Sequence, residues 1–240
     1  MMKRKLVNSL ILAALAVPAV AMADTAPASP FSGNVSLVSD YLFRGVTQTD
    51  HRGAIQGGFD YVNPNGFYAG TWGSNISWLT DSGTYNAGAG LELDTYAGYS
   101  GSFATDYTYN VGFLRYNYSG EYTAGTVSAN TNEVYGSIGW KWVSAKYSRS
   151  FTNLFGVPDS SGSGYLEVNG TYTLEGPAVD LSAHYGKQSL GGTGNSSLEY
   201  SDYNVKAAKA FGAYTWAFLV SKTNITGDST RGVLSVSHSM

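Results

Sequence analysis

The sequence predicts an all-β fold: a transmembrane antiparallel up-and-down β-barrel of about twelve strands, with ten or fourteen also compatible. Three observations predict it. Past Ser39, apolar residues recur at every second position and not at every third or fourth, which is the period of a strand. Long polar connections alternate with tight turns, an order that a barrel with loops at one end and turns at the other requires. The composition pairs 30 Gly, 19 Tyr, 10 Phe and 5 Trp with only 13% charged residues. That balance suits a wall that is apolar outside and aromatic at its rims, and it fits the competing soluble β-sandwich or secreted β-helix less well.

The chain opens with Lys3, Arg4 and Lys5, an apolar stretch from Leu10 to Val17, and Ala21-Met22-Ala23 just before Asp24. This is the pattern of a cleaved Sec-type signal peptide over residues 1–23. The apolar stretch is too short, and wrongly flanked, for a membrane-spanning helix. A short periplasmic segment, 24–32, then leads into one barrel domain, 33–240. Without the leader's three bases, 11 basic residues face 17 acidic ones, which argues against nucleic acid or an anionic membrane surface as partner. The chain has no cysteine, so disulfides and thiolate-bound zinc are excluded.

Twelve segments carry the strand period: 33–43, 54–62, 67–78, 90–99, 106–116, 133–141, 143–150, 165–173, 178–186, 202–211, 213–221 and 231–240. In the first, Val35, Leu37, Tyr41 and Phe43 share a face opposite Asn34, Ser36 and Asp40. In the fourth, Leu91, Leu93, Ala97 and Tyr99 oppose Glu92 and Asp94. Val179, Leu181, Ala183 and Tyr185 alternate with Asp180, Ser182 and His184, and Tyr214, Trp216, Phe218 and Val220 alternate with Thr215, Ala217, Leu219 and Ser221. Short connections follow even-numbered segments, as at Asn63-Pro64-Asn65-Gly66 and Lys141-Trp142. Longer polar ones follow odd-numbered segments, as from Thr80 to Ala89 and from Lys187 to Ser201. An even strand number places both termini at the turn end. The last segment puts Leu234, Val236, His238 and Met240 on one face, with Met240 standing where barrels of this kind usually carry an aromatic residue.

If the apolar faces meet lipid, the opposite faces line the interior. The interior candidates are then the acids Asp40, Asp60, Glu92, Asp94, Asp106, Glu133, Glu167, Asp180 and Asp202, the bases Arg44, Lys141, Lys146 and Lys206, and His184. With acids mostly on strands one to five and Lys141 and Lys146 on six and seven, the expectation is a transverse field with an acidic excess that favours cations weakly. The bland alternative is a set of paired charges filling a narrow barrel. All five tryptophans, Trp72, Trp78, Trp140, Trp142 and Trp216, are expected on the lipid face or its rims.

No catalytic residue is expected. Ser182 and His184 share a face of one strand, but no third group orients them as triad chemistry asks. His51, beside Asp50 and Arg52, has no partners that would make a metal site. Gly191-Gly192-Thr193-Gly194 lacks the Lys-Ser/Thr and the helix that a phosphate loop needs. No cofactor is expected.

The segment Ser39-Asp40-Tyr41-Leu42-Phe43-Arg44-Gly45-Val46-Thr47-Gln48-Thr49, followed by Ala54-Ile55-Gln56-Gly57-Gly58-Phe59-Asp60-Tyr61, resembles the opening of the TorF family of outer-membrane porins. Gly66-Phe67-Tyr68-Ala69-Gly70-Thr71-Trp72, Glu92-Leu93-Asp94-Thr95-Tyr96-Ala97-Gly98-Tyr99, Lys146-Tyr147-Ser148, Tyr165-Leu166-Glu167 and His184-Tyr185-Gly186 resemble its later strands. The resemblance implies a bacterial outer-membrane location and a pore, and carries over no catalytic residue. The partners expected with it are outer-membrane lipid, small hydrophilic solutes that diffuse through passively, and the barrel assembly machinery. The alternative is a plugged barrel whose loops bind a partner outside.

Overall fold

Alternating sequence becomes a barrel here because each strand finds its partner in chain order and the last returns to the first. The computed structural model describes residues 29–83 and 85–240; the expected signal peptide, 1–23, lies outside the described residues. Twelve antiparallel strands close the wall: β1 (Phe31–Val38), β2 (Ala54–Val62), β3 (Phe67–Asn75), β4 (Leu91–Ala104), β5 (Tyr107–Tyr118), β6 (Thr131–Trp140), β7 (Val143–Ser150), β8 (Gly164–Leu174), β9 (Val179–Ser189), β10 (Tyr200–Phe211), β11 (Tyr214–Thr223) and β12 (Arg231–Ser239). The seam pairs Val35 with His238 and Leu37 with Val236. Closure leaves no unpaired strand edge, so every wall amide and carbonyl can be met by a neighbour, as a hydrocarbon environment demands.

The outer wall carries Leu37, Ile55, Leu93, Val111, Val134, Ile138, Leu166, Val205, Phe218 and Leu234, all exposed. Apolar area on that scale cannot face water and matches a bilayer core. At the turn end an aromatic belt follows: Phe103 stacks on Tyr107, with ring centroids 5.3 Å apart, and Tyr107 lies beside Trp140. The Asn63–Gly66 turn depends on Gly66, at φ 99°, where a Cβ would come 2.2 Å from the Ser100 carbonyl oxygen.

The abundant tyrosines serve a second purpose that composition did not reveal. Inside the barrel, Tyr68 lies on Gly98, Tyr135 on Gly112 and Tyr165 on Gly186 of neighbouring strands, so close that an added Cβ would meet the phenol at 2.0–2.5 Å. The missing side chain makes room for the ring, which is why Gly and Tyr are enriched together. Gly186→Ala is therefore expected to push Tyr165 off its seat and cost about 1–3 kcal/mol, the usual range for overpacking. Urea unfolding in detergent, compared with Gly176→Ala in an open turn, measures it.

Two segments stop several residues short of the expected strands, while the fourth and ninth run on to Ala104 and Ser189. The first strand stops at Val38 and not at residue 43, because residues 39–53 turn into the barrel; Tyr41 is then buried inside, and Phe43 packs against the same interior cluster. The third stops at Asn75, and Trp78 opens a short helix, α1 (Trp78–Asp81). Trp140, Trp142 and Trp216 are exposed on the outer wall as expected, but Trp72 and Trp78 pack against the interior cluster. Strand parity explains Trp72: it pairs with Asp94, which faces inward, and its ring meets Tyr41 edge-on at 5.5 Å. A narrow interior that a folded-in loop already occupies has ample use for an indole.

Candidate functional site in the barrel lumen

The run that reads as one strand up to Phe43 contains a reversal at Arg44-Gly45. Leu42–Phe43 pairs with Val46–Thr47, and both tip residues have positive φ, 48° at Arg44 and 79° at Gly45, the conformation of a tight hairpin turn. The hairpin crosses the lumen. At Gly45 an added Cβ would lie 2.6 Å from Asp202 Cβ and 2.8 Å from Thr223 Cγ2, so the tip rests against the wall of β10 and β11.

Arg44 secures it. Its Nη2 donates to both carboxylate oxygens of Glu133 on β6, at 2.9 and 2.8 Å, and its Nη1 donates to Gln188 Oε1 on β9 at 2.8 Å. The guanidinium also lies over the rings of Tyr165, at 4.3 Å, and Phe43, at 4.8 Å. Only 6% of the Arg44 side chain and 2% of Glu133 reach solvent. Burial works against the charge, but Glu133 outweighs it and holds the guanidinium pKa above its ordinary value. At the base of the loop, Asp40 accepts from Thr47 and Thr49 and pairs with His51 Nδ1 at 3.0 Å, while Arg52 bonds Ser77 and Asp81 beside α1.

The hairpin splits the interior. Between it and β3–β5, Tyr41, Leu79, Tyr116 and Tyr118 are buried with Trp72 against them, and this half is packed. Toward the turn end the inner wall is polar, with Lys146, Glu167, His184 and Asn169 half-buried and Asp60, Tyr68, Tyr135 and Asp202 buried. Lys146 pairs with Glu167 at 3.2 Å; His184 contacts Asp202 at 3.0 Å and Asn169 at 2.6 Å; Tyr96 donates to Asp60; Tyr68 bonds both Asn110 and Tyr135. Lys206 belongs to the same inner face, and Asp180 accepts from Thr173 near its rim. At the loop end, Ser39, Asp40, His51, Ser229, Thr230 and Arg231 line a cleft of about 560 Å³. The last loop holds its side of that cleft through Asp228, which accepts from Thr223 and Arg231. Burial raises the Asp228 pKa, but these hydrogen bonds prevail and lower it to about 2.

Several expectations need correction. Asp106 and Lys141 are not in the lumen: both sit in turns at the turn end, half-exposed and 3.9 Å apart. Each lies one residue outside its strand, in a turn where alternation no longer decides direction. The opposed charges expected across the lumen are in part paired, because Arg44 reaches across to Glu133 and Lys146 meets the neighbouring Glu167. Glu92 and Asp94 do point inward, but with 1% and 0% of their surface exposed they border no aqueous path. His184 has Asn169, Asp202 and Tyr165 as hydrogen-bond partners, whereas Ser182 is bonded by Thr171. Gln188, Tyr165 and Tyr116 complete the site around Arg44 and Glu133, and as uncharged side chains they carry no mark of it in the sequence. One signal could have found the loop, since a residue–Gly pair flanked by Phe43 and Val46 is a hairpin signature inside an apparent strand.

Among the described residues, no three His, Asp or Glu side chains converge as ligands of a metal ion would. The profile of a family described as bacterial proteins of unknown function, Gcw_chp, matches residues 22–234. No curated protein matches the sequence. Among solved structures, the chain is similar to the KdgM porin in complex with disordered oligogalacturonate (TM-score 0.56, 13% identity, 86% of this chain and 98% of that one). It is also similar to Acinetobacter baumannii OccAB4 (TM-score 0.46, 10% identity, 89% and 63%) and to Pseudomonas aeruginosa OprD (TM-score 0.42, 12% identity, 90% and 68%). At these identities the likeness is one of fold.

Proposed function

The chain belongs to the Gcw_chp family of bacterial proteins of unknown function, and from its lumen we propose that it is an outer-membrane porin of the TorF kind. Small hydrophilic solutes diffuse through it passively, past a constriction formed by the 39–53 hairpin. The observation that carries this reading is a polar lumen, lined by Lys146, Glu167, His184 and Asn169, narrowed by a loop that crosses it on one ion pair. A barrel built only as a scaffold could fill that space with apolar side chains at lower desolvation cost. The KdgM porin, similar in fold over 86% of this chain, supports the analogy. In this reading the leader directs export, the assembly machinery inserts the barrel, and the long loops face outward.

A second reading, a plugged barrel that binds a partner through its loops, is favoured by one observation: the Arg44–Glu133 pair is almost wholly buried. Single-channel recording in planar bilayers separates the two. Discrete conductance steps support the porin, and a silent, correctly folded wild type overturns it.

Selectivity follows from the charges that water reaches. Wild type is expected to prefer cations weakly in a reversal-potential measurement across a salt gradient, since lumenal charges are largely paired and screened over about 8 Å. Glu167→Gln, which leaves Lys146 without its carboxylate, is expected to move the reversal potential toward anions. Neutralising Glu92 and Asp94 together should leave it where it was, because neither borders the aqueous path. An anion-selective wild type contradicts the assignment.

A further inference from the structure

Glu92 and Asp94 pose a physical problem. They stand two residues apart on the inner face of β4, at the loop end, between Ser74 and Trp72 of β3 and Tyr118 and Tyr116 of β5. Tyr41 of the crossing hairpin covers them, and its hydroxyl donates to Glu92 Oε1 at 3.3 Å. Glu92 Oε2 and both oxygens of Asp94 are buried with no hydrogen-bond partner among the described residues. Nor does a cationic side chain among the described residues pair with them: Arg44 is committed to Glu133 and Gln188, and Lys146 to Glu167. Two carboxylates enclosed by aromatic rings without a counter-charge are strongly unfavourable.

We propose that Glu92 and Asp94 form a binding site for one divalent cation of the calcium class, roofed by Tyr41. The chemistry fits in three respects. The donors are hard carboxylate oxygens, which calcium prefers, with none of the nitrogen or sulfur ligands that favour zinc or copper. Alternate residues on a strand lie about 7 Å apart, so two converging carboxylates can share an ion at oxygen distances of about 2.4 Å. The charge of a divalent ion cancels the pair. Because Tyr41 belongs to the crossing hairpin, an ion held there also fastens the hairpin to β4, on the side opposite Arg44. The site does not depend on conduction.

Terbium(III), a luminescent probe for calcium sites, tests this directly, since nearby tyrosine and tryptophan sensitise its emission. The full barrel, folded in detergent and stripped with a chelator, is titrated with terbium and excited through its aromatics. Saturable emission at one ion per chain, displaced by calcium chloride, is expected. Glu92→Gln with Asp94→Asn should lower that emission at least tenfold, while Asp81→Asn with Asp159→Asn, on exposed loops, should retain it. If the double variant misfolds by gel mobility, Asp94→Asn alone is read in the same way. Absent saturable emission, emission that calcium does not displace, or emission that survives loss of the pair would each overturn the site. The last two place the ion elsewhere, and the first leaves the carboxylates protonated. Conductance recorded on the same preparation reports on the porin reading separately.

Discussion

Arg44→Ala is expected to produce the largest change in this protein: a severalfold rise in single-channel conductance together with a loss of about 3–5 kcal/mol of stability, the usual cost of breaking a buried ion pair from one side. The reasoning rests on what Arg44 joins. Its guanidinium is the link from the hairpin tip to Glu133 and Gln188 across the lumen. Without it Glu133 is a buried carboxylate with only the Tyr116 hydroxyl, at 3.3 Å, for a partner. Water must enter to hydrate it, and the hairpin that Arg44 held is free to swing back. Glu133→Gln keeps a hydrogen-bonding acceptor and should cost less. A double-mutant cycle with Arg44→Ala and Glu133→Ala isolates the pair, and a coupling below about 0.5 kcal/mol would show that it does not hold the hairpin. Unchanged conductance in folded Arg44→Ala would mean that the hairpin keeps its place on Gly45 and Tyr41 alone.

The second large effect concerns the wall. Val111→Arg should cost about 2–4 kcal/mol, because it places a guanidinium on the lipid face near the middle of β5. Val111 is 53% exposed on that face. Tyr109→Arg, on the same side of the strand and stacked against Tyr99, should behave likewise. Asn110 points the other way and accepts from Tyr68 at 2.6 Å. Asn110→Arg therefore loses about one hydrogen bond, about 1 kcal/mol, and its charge finds lumenal water. Heat-modifiable gel mobility and urea midpoints of the three variants measure the contrast. Equal tolerance at all three positions would contradict a membrane-spanning barrel.

The same pair of residues shows how much could be read without coordinates. Alternation is a property of a strand and its two environments, so Val111 out and Asn110 in could be assigned from a window of a few residues. The inward direction of Asp60, Glu133, Glu167 and Asp202 was legible for the same reason. Asp106 and Lys141 mark where that logic ends, one step past the strand, where a turn decides direction. Trp72 marks a different boundary. Its position in the alternation already put it beside Asp94, but the preference of tryptophan for interfaces pointed outward, and packing around Tyr41 prevailed.

By itself the sequence determined the all-β class, the order of loops and turns, and the two faces of the strands, all of which follow from local period and turn chemistry, whereas closure of the wall decided twelve strands over ten or fourteen. Tertiary structure alone decided that residues 39–53 enter the barrel, that Arg44 meets Glu133, and that Glu92 and Asp94 are buried beneath Tyr41. Those facts depend on distances across the barrel between residues as far apart in the chain as 44 and 188. Period along a strand carries no information about such distances: it tells a side chain which way to point, while what it meets there is set by the closure of the wall.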